Sequence, residues 1–461
     1  MRGKRNNKQK PLSRFQFFIS GSFLRNKLKF LLLLFVVGCN GGVVDRLLKK
    51  QSPYEDYLSS LESTTLADYA MVRDWKRAGE EVLGDSLVVT LPYHEVGYFE
   101  PTEPKAMLLR YRVEEGLQIN VILERVSQRD ARYFLDIFEL NTENGLLKRI
   151  HYADTVGTVS YQVKNSGVHA LRIQPELLRG GVYSISIASQ GVLAFPISGK
   201  TTKNIASFWG DPRDGDARKH EGIDVFASRG TPVVAASSGR IRRVGDNRLG
   251  GKVVWLHDSQ LGFSQYYAHL DSQLVQAGQA VQIGDTLGLV GNTGNAITTA
   301  PHLHFGIYKS GSGAVDPFPF LKELVLPEIT AVPDSTYLGV SALVRVPVAN
   351  IRRSPSTSSE KIGDFQRNTL VSILGKVGNW YRIALPDKQK GFVFENLLEK
   401  AEAPIRDVEL TPLDAIQESW NSSPPISGKI IEGKAQVLGE FKSSYYVETS
   451  QGIRGWWKST Q

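Results

Sequence analysis

The chain has 461 residues, room for three or four folded units at about 100–200 residues each. Its formal charge of +8 points first to nucleic acid or an acidic surface, but residues 1–30 hold nine Lys or Arg and no acid, so the remainder is close to neutral and nucleic-acid binding loses its support. A single cysteine, Cys39, excludes an internal disulfide and any multi-cysteine metal site.

In chain order, a basic stretch (Arg2, Lys4, Arg5, Lys8, Lys10, then Arg25, Lys27, Lys29) leads into the apolar run Phe30 to Val37 and then Gly38-Cys39. The run falls short of the roughly 20 apolar residues that a membrane span needs, and fits the h-region of an export signal. With Val36-Val37-Gly38 before Cys39, residues 1–38 resemble the signal peptide of bacterial lipoproteins. That resemblance implies cleavage before Cys39, a diacylglyceryl group on its thiol and membrane attachment through that lipid. The alternative is a buried free cysteine in an uncleaved anchor, and either way the body is delivered outside the cytoplasm.

Residues 39–85 place Leu47, Leu48, Tyr54, Tyr57, Leu58, Leu61, Leu66, Tyr69, Met71, Val72 and Trp75 at helical spacing, which predicts two amphipathic helices. From 86 to 195 the period becomes two, as in Met107 to Val113 and Val182 to Ile187, with Gly-containing turns; this predicts a β-sandwich. His94, His151 and His169 are isolated within it and read as ordinary surface or core residues. Residues 196–325 are dense in glycines and short strands and predict a compact antiparallel sheet. Two further β-rich units follow, over 336–400 and 404–461. Gly378-Asn379-Trp380-Tyr381 with Gly391-Phe392-Val393 is echoed by Ser444-Tyr445-Tyr446-Val447 with Gly455-Trp456-Trp457, at intervals that differ by one residue.

Five of the eight histidines lie between 220 and 304. In His302-Leu303-His304-Phe305 the alternation marks a strand with both imidazoles on one face. In His220-Glu221-Gly222-Ile223-Asp224 the interval returns His220 and Asp224 to one face of an extended strand. Zinc sites that do chemistry keep three protein ligands and one open position. His220, Asp224 and one histidine of the His-Leu-His pair can supply that set, with a single carboxylate leaving the ion net positive. The other histidine and His269 then stand beside the open position, able to take a proton or steady an oxyanion. His257 falls outside the set and reads as structural, and Glu221 is expected to point to the opposite face from His220.

Arg218 to Asp224, Gly230-Thr231-Pro232-Val233, Tyr267-Ala268-His269-Leu270, Gly288 to Gly294 and His302 to Phe305 follow one another as the motifs of the lysostaphin-type, LytM-like zinc metallopeptidases do. The resemblance covers about 90 residues and loses no motif position. It implies that His220, Asp224 and His304 bind Zn²⁺, that His269 and His302 are the catalytic pair, and that the substrate is a peptide bond of bacterial peptidoglycan. It also leaves open a catalytically silent relative acting as scaffold or activator of other wall hydrolases. A facial triad of a non-haem Fe(II) oxygenase is a weaker alternative, because it leaves two histidines unused and conflicts with export. Loops near Ser207 to Asp216 and Asp246 to Gly251 are expected to wall the groove, and direct cross-links fit a lipoprotein better than glycine bridges.

Ala349-Asn350-Ile351-Arg352-Arg353-Ser354-Pro355 and the Trp380 segment resemble bacterial SH3-like modules, which implies tethering to wall polymer; Trp380 reads equally well as core. The expectation is thus a mainly β, multidomain chain: a helical segment, a β-sandwich, an antiparallel β metallopeptidase domain and one or two SH3-like β-barrels.

Overall fold

A computed structural model of the chain describes residues 51–126, 131–154, 157–213, 215–329, 335–412, 414–420 and 432–458. The export signal, Cys39 and the first apolar positions of the helical segment, Leu47 and Leu48, lie outside the described residues. Among the described residues no helix is long and apolar enough to cross a membrane.

Helix α1 (Pro53–Glu62) starts where Ser52 closes a capping box: Glu55 N–H donates to Ser52 Oγ at 3.3 Å and Ser52 N–H to Glu55 Oε2 at 2.9 Å. Helix α2 (Ala70–Glu81) follows. Their apolar stripes, Tyr54 and Leu61 with Val72 and Trp75, close over Phe134 of the sandwich. The Trp75 indole N–H donates to the Pro175 carbonyl at 2.8 Å, and the Arg172 guanidinium lies 3.7 Å from the Tyr54 ring centre.

One sandwich sheet holds β1 (Tyr93–Phe99), Leu117–Arg125, Thr158–Gln162 and Gly181–Gly191; the other holds Met107–Val113, Tyr133–Leu140, Leu147–Tyr152 and Gly167–Pro175. Alternate residues such as Leu109, Tyr111, Ile119, Ile137, Ile185 and Ile187 are fully buried between them. The three histidines of this region have separate neighbours. His94 meets Ser186 Oγ at 2.9 Å, His151 stacks on Tyr152, and His169 is buried against the Tyr161 hydroxyl at 2.9 Å.

The sheet that carries the motif histidines contains β2 (Ile205–Ser207), β3 (Ile223–Phe226), β4 (Gly239–Asn247), β5 (Gly251–Asp258), β6 (Phe263–Gln273) and β7 (His302–Lys309), in the antiparallel order β4-β5-β6-β7-β3-β2. On one face Ile223, Val225, Val254, Leu256, Tyr267, Leu303, Phe305 and Ile307 fill the core, all fully buried. Period two therefore puts Asp224, His302, His304, Tyr266 and Trp255 on the other face. The sandwich is joined to this unit by backbone bonds from Gly191 to Lys322 (2.7 Å) and Leu193 to Phe320 (2.9 Å), and by the ion pairs Glu115–Lys309 and Glu114–Lys322.

The first SH3-like unit includes β8 (Leu370–Val377), β9 (Trp380–Ala384) and β10 (Lys390–Phe394). Strand β8 also pairs with β1, Val96 opposite Lys376 and Gly97 opposite Gly375, so a sandwich sheet runs on into this unit. Trp380 is half-buried, edge-on to Phe394, and packs against the sandwich core. The last sheet contains β11 (Gly433–Phe441), β12 (Ser444–Thr449) and β13 (Arg454–Lys458), flanked by Arg406–Leu410 and Ile416–Gln417.

Register corrects the alignment of the two units. Ile383 pairs with Ile373 and Gly391, whereas Val447 pairs with Val437 and Gly455. Each equivalent lies 64 residues on, and the same bulge recurs at Ile373/Gly375 and Val437/Gly439. Tyr381, not Trp380, is therefore the counterpart of Tyr445, and the one-residue mismatch of the sequence echo disappears.

Candidate metal centre

His304 on β7 and Asp224 on β3 are direct cross-strand partners, and both leave the face opposite the core. His220 reaches them differently from the extended strand anticipated by its spacing. Strand β3 begins only at Ile223, and His220 bonds through its backbone to Asp211 (N–H to O, 2.8 Å) and Gly210 (O from N–H, 2.9 Å), so it belongs to the loop around the short hairpin of Pro212–Arg213 and Arg218–Lys219. Gly222 lets the chain pack closely against β7. A Cβ there would stand 2.5 Å from the Phe305 carbonyl and 2.7 Å from His304 Cε1.

Three atoms converge: His220 Nε2 and His304 Nδ1 at 2.9 Å, and each 3.0 Å from Asp224 Oδ1. Among the described residues these three side chains form the group able to hold a cation. The His220 Nδ1–H donates to the Phe208 carbonyl at 2.9 Å, which leaves Nε2 as a lone pair. That lone pair faces the Asp224 carboxylate and a second imidazole, an arrangement of acceptors that a bound cation would satisfy. The spacing suits it, since tetrahedral zinc with bonds of about 2.0–2.2 Å sets its donors roughly 3.3 Å apart.

The guanidinium of Arg213, in that hairpin, donates to Asp224 Oδ2 at 2.7 Å and to Ser207 Oγ at 2.6 Å. Asp224 is thereby fixed with Oδ1 alone turned to the imidazoles, a support of the kind that orients metal ligands. Sequence reasoning misses Arg213: it lies in a loop expected to wall the groove, and nothing in the local sequence distinguishes it from the nearby Arg218.

His269 and His302 stand beside the group, their rings 5.0 Å apart, with His269 6.0 Å from His304. Each donates Nδ1–H to a backbone carbonyl, His269 to Thr293 and His302 to Ala300, both at 2.9 Å, so both Nε2 atoms are free lone pairs. Burial, and then the His304 and His302 rings, push the His269 pKa down to about 4, which keeps it neutral near pH 7. Its position depends on a bulge. Tyr267 and Leu270 face Val254 and Lys252, so β6 carries one residue more than β5, and His269 takes the left-handed conformation at φ 62°. The Gly-rich loop supplies its acceptor: a Cβ at Gly294 would lie 2.3 Å from Gly251 N, so only glycine lets this loop pack there and hold Thr293 under His269. Phe226 stacks on His302, ring centres 5.0 Å apart. His257 meets Ser264 Oγ at 3.2 Å and stands outside the group, and the exposed Glu221 lies at the Tyr308 hydroxyl.

Residues 218–317 match the family model described as Peptidase family M23, and residues 347–399 that of the Bacterial SH3 domain. The chain is 36% identical over 143 residues to the L-Ala–D-Glu endopeptidase of Bacillus subtilis, covering 29% of this chain and 44% of that protein. It is 43% identical over 107 residues to lysostaphin of Staphylococcus staphylolyticus, covering 22% of each. The solved catalytic domain of lysostaphin from Staphylococcus simulans is 37% identical, with 26% of this chain and 92% of that one covered, at a TM-score of 0.24. The matches thus span less than half the length of the two curated relatives. This chain carries a domain of peptidase family M23 followed by a bacterial SH3 domain.

Proposed function

We propose that this protein is a zinc-dependent endopeptidase that hydrolyses peptide cross-links of bacterial peptidoglycan, exported and held at the cell envelope by lipid on Cys39. The observation that carries the reading is the cluster of acceptors at His220, Asp224 and His304, flanked by two imidazoles whose Nε2 atoms are bare. When bound there, zinc would supply Lewis acidity toward a carbonyl oxygen and toward water. His220, Asp224 and His304 hold it; Arg213 and the Phe208 carbonyl keep two of those donors aimed. His269, neutral at pH 7, accepts a proton at Nε2, and His302 steadies charge developing on the scissile carbonyl. The relative named as an L-Ala–D-Glu endopeptidase supports a peptide of peptidoglycan as the substrate, and the SH3 domain supports retention on wall polymer.

The test is metal content together with peptide release. The purified chain should hold about one zinc and release peptides from sacculi, and chelation should stop the release. Mass analysis of the fragments identifies the bond. Full activity without zinc would refute the reading, and zinc binding with no cleavage of any wall would move the protein to the scaffold class.

A further inference from the structure

The sheet face that carries the metal group has a second row next to it. In the first row Ala268, His304, Asp224 and Ser207 stand opposite one another across β6, β7, β3 and β2. Two residues along the strands, Arg243, Trp255, Tyr266 and Gly306 do the same across β4, β5, β6 and β7. The row is aromatic in its middle: Trp255 lies 4.5 Å from Tyr266 and 5.0 Å from Tyr308, and Tyr266 lies 5.9 Å from His304. All three aromatic residues are half-buried. Such a ladder stabilises a sheet by itself, but its far end is polar in a way that packing does not explain.

Arg243 is exposed and, among the described residues, stands in no ion pair. Its side chain runs back along β4, its Nε 3.6 Å from where a Gly245 Cβ would stand, and its charge acts on Tyr266. The Tyr266 hydroxyl accepts from Asn247 Nδ2 at 3.4 Å, and among the described residues no acceptor takes its own proton. It points at Gly250, where a Cβ would stand 2.0 Å from it, so the β4–β5 turn stays clear of it only through glycine. The nearest acid on the strand, Asp246, alternates to the other face, opposite Lys252. A guanidinium and a hydroxyl with a spare proton thus stand on the same face at the end of an aromatic shelf that begins beside the metal group.

We infer that Arg243 and Tyr266 form a subsite for a carboxylate on the peptide substrate, so that the site prefers acidic wall peptides to neutral glycine bridges. This rests on the peptidase reading. Three strand spacings separate Arg243 from β7, roughly 14 Å. With the arginine reaching along β4 toward the row of the metal group, the carboxylate sits about four extended residues from the bond that is cut. The apolar stretch of peptide between lies across Trp255 and Tyr266.

The experiment uses the zinc-loaded full chain on two batches of purified sacculi, one native and one whose carboxylates have been converted to amides with carbodiimide and ammonia. Charge-assisted hydrogen bonds are strong enough for the native batch to be cut about tenfold faster. Arg243→Gln should remove the difference between the batches while leaving zinc content at the wild-type level, and Arg243→Lys should keep part of it. A wild type indifferent to amidation, or an Arg243→Gln protein that keeps the full preference, overturns the subsite and leaves the peptidase reading standing. A wild type that binds zinc and cuts neither batch overturns both.

Discussion

Arg382 on β9 and Glu95 on β1 meet inside the seam between the SH3 domain and the sandwich. Arg382 Nε donates to Glu95 Oε2 at 2.7 Å and Nη2 to Oε1 at 2.8 Å, with Glu95 0% and Arg382 4% exposed. The Tyr93 hydroxyl donates to Oε2 at 2.6 Å and that of Tyr183 to Oε1 at 3.0 Å. Arg382→Met keeps most of the side-chain volume but leaves a buried carboxylate with two hydroxyls and no cation. Breaking a buried pair from one side costs about 3–5 kcal/mol, and the two tyrosines that remain place this case near the lower end. Glu95→Gln with Arg382→Met removes both charges and keeps an acceptor for the tyrosines, so the double variant should recover at least half of the loss. Urea unfolding followed by tryptophan fluorescence measures both, read as the midpoint of the transition that involves the seam, since a chain of several domains has no single unfolding free energy. An Arg382→Met protein within about 0.5 kcal/mol of wild type, or a double variant no better than the single one, would refute the claim that desolvated charge holds this seam together.

The metal group gives a contrast between neighbours: His304→Ala should lose zinc to a competing chelator, whereas His302→Ala should retain it and lose peptide release by about 10²–10⁴-fold. Metal analysis of the two proteins beside an activity assay separates the roles. Gly222→Ala should push a methyl against the Phe305 carbonyl and the His304 ring, and weaken zinc binding on the order of 10–100-fold in a dye competition. Trp75→Ala should cost about 3–5 kcal/mol where the helices dock, through lost burial and the lost bond to Pro175, and should appear as early proteolysis between α1 and α2.

Most of the candidate site could be read from the sequence because its possible donors lie in short stretches whose spacing has a local meaning. His302 and His304 share a face in any strand, and the glycines between 288 and 294 mark a tight loop. The mainly β architecture was legible for the same reason, since period two is visible in β7 as it is in the strand Met107–Val113. What was not legible depends on partners far away in the chain. Glu95 and Arg382 are ordinary surface residues in any local window, and only the pairing of β1 with β8 buries them. Arg213 sits among several basic residues, and its contact with Asp224 follows from how one hairpin folds over the sheet. The break before Ile223 was hidden because an extended strand and a loop both return His220 to the side of Asp224. The shift between the two C-terminal units was hidden because aromatic residues attract the eye, whereas the bulges at Gly375 and Gly439 fix the register.

The division of the sheet into a core face and a chemical face explains how this geometry is kept. A slip of β7 by one residue would turn His302 and His304 into the core and bring Leu303 and Phe305 out to solvent. Leu303, Phe305 and Ile307 are each 0% exposed, and losing such burial costs about 1.5–3 kcal/mol apiece, so the hydrophobic pattern itself holds the two imidazoles in place. His269 is the exception that the same rule creates. Strict alternation after Tyr267 and Ala268 would send it to the buried face, and the extra residue of the β6 bulge, at φ 62°, turns it to His302 instead. A non-glycine residue in that conformation costs about 1–2 kcal/mol. The bond from its Nδ1 to Thr293 and the ring contact with His302 offset that cost only if the Gly291–Gly294 loop is in place. The motif glycines and the motif histidine on β6, more than 20 residues apart, are therefore one structural requirement: the loop holds the bulge, and the bulge presents the His269 ring to His302.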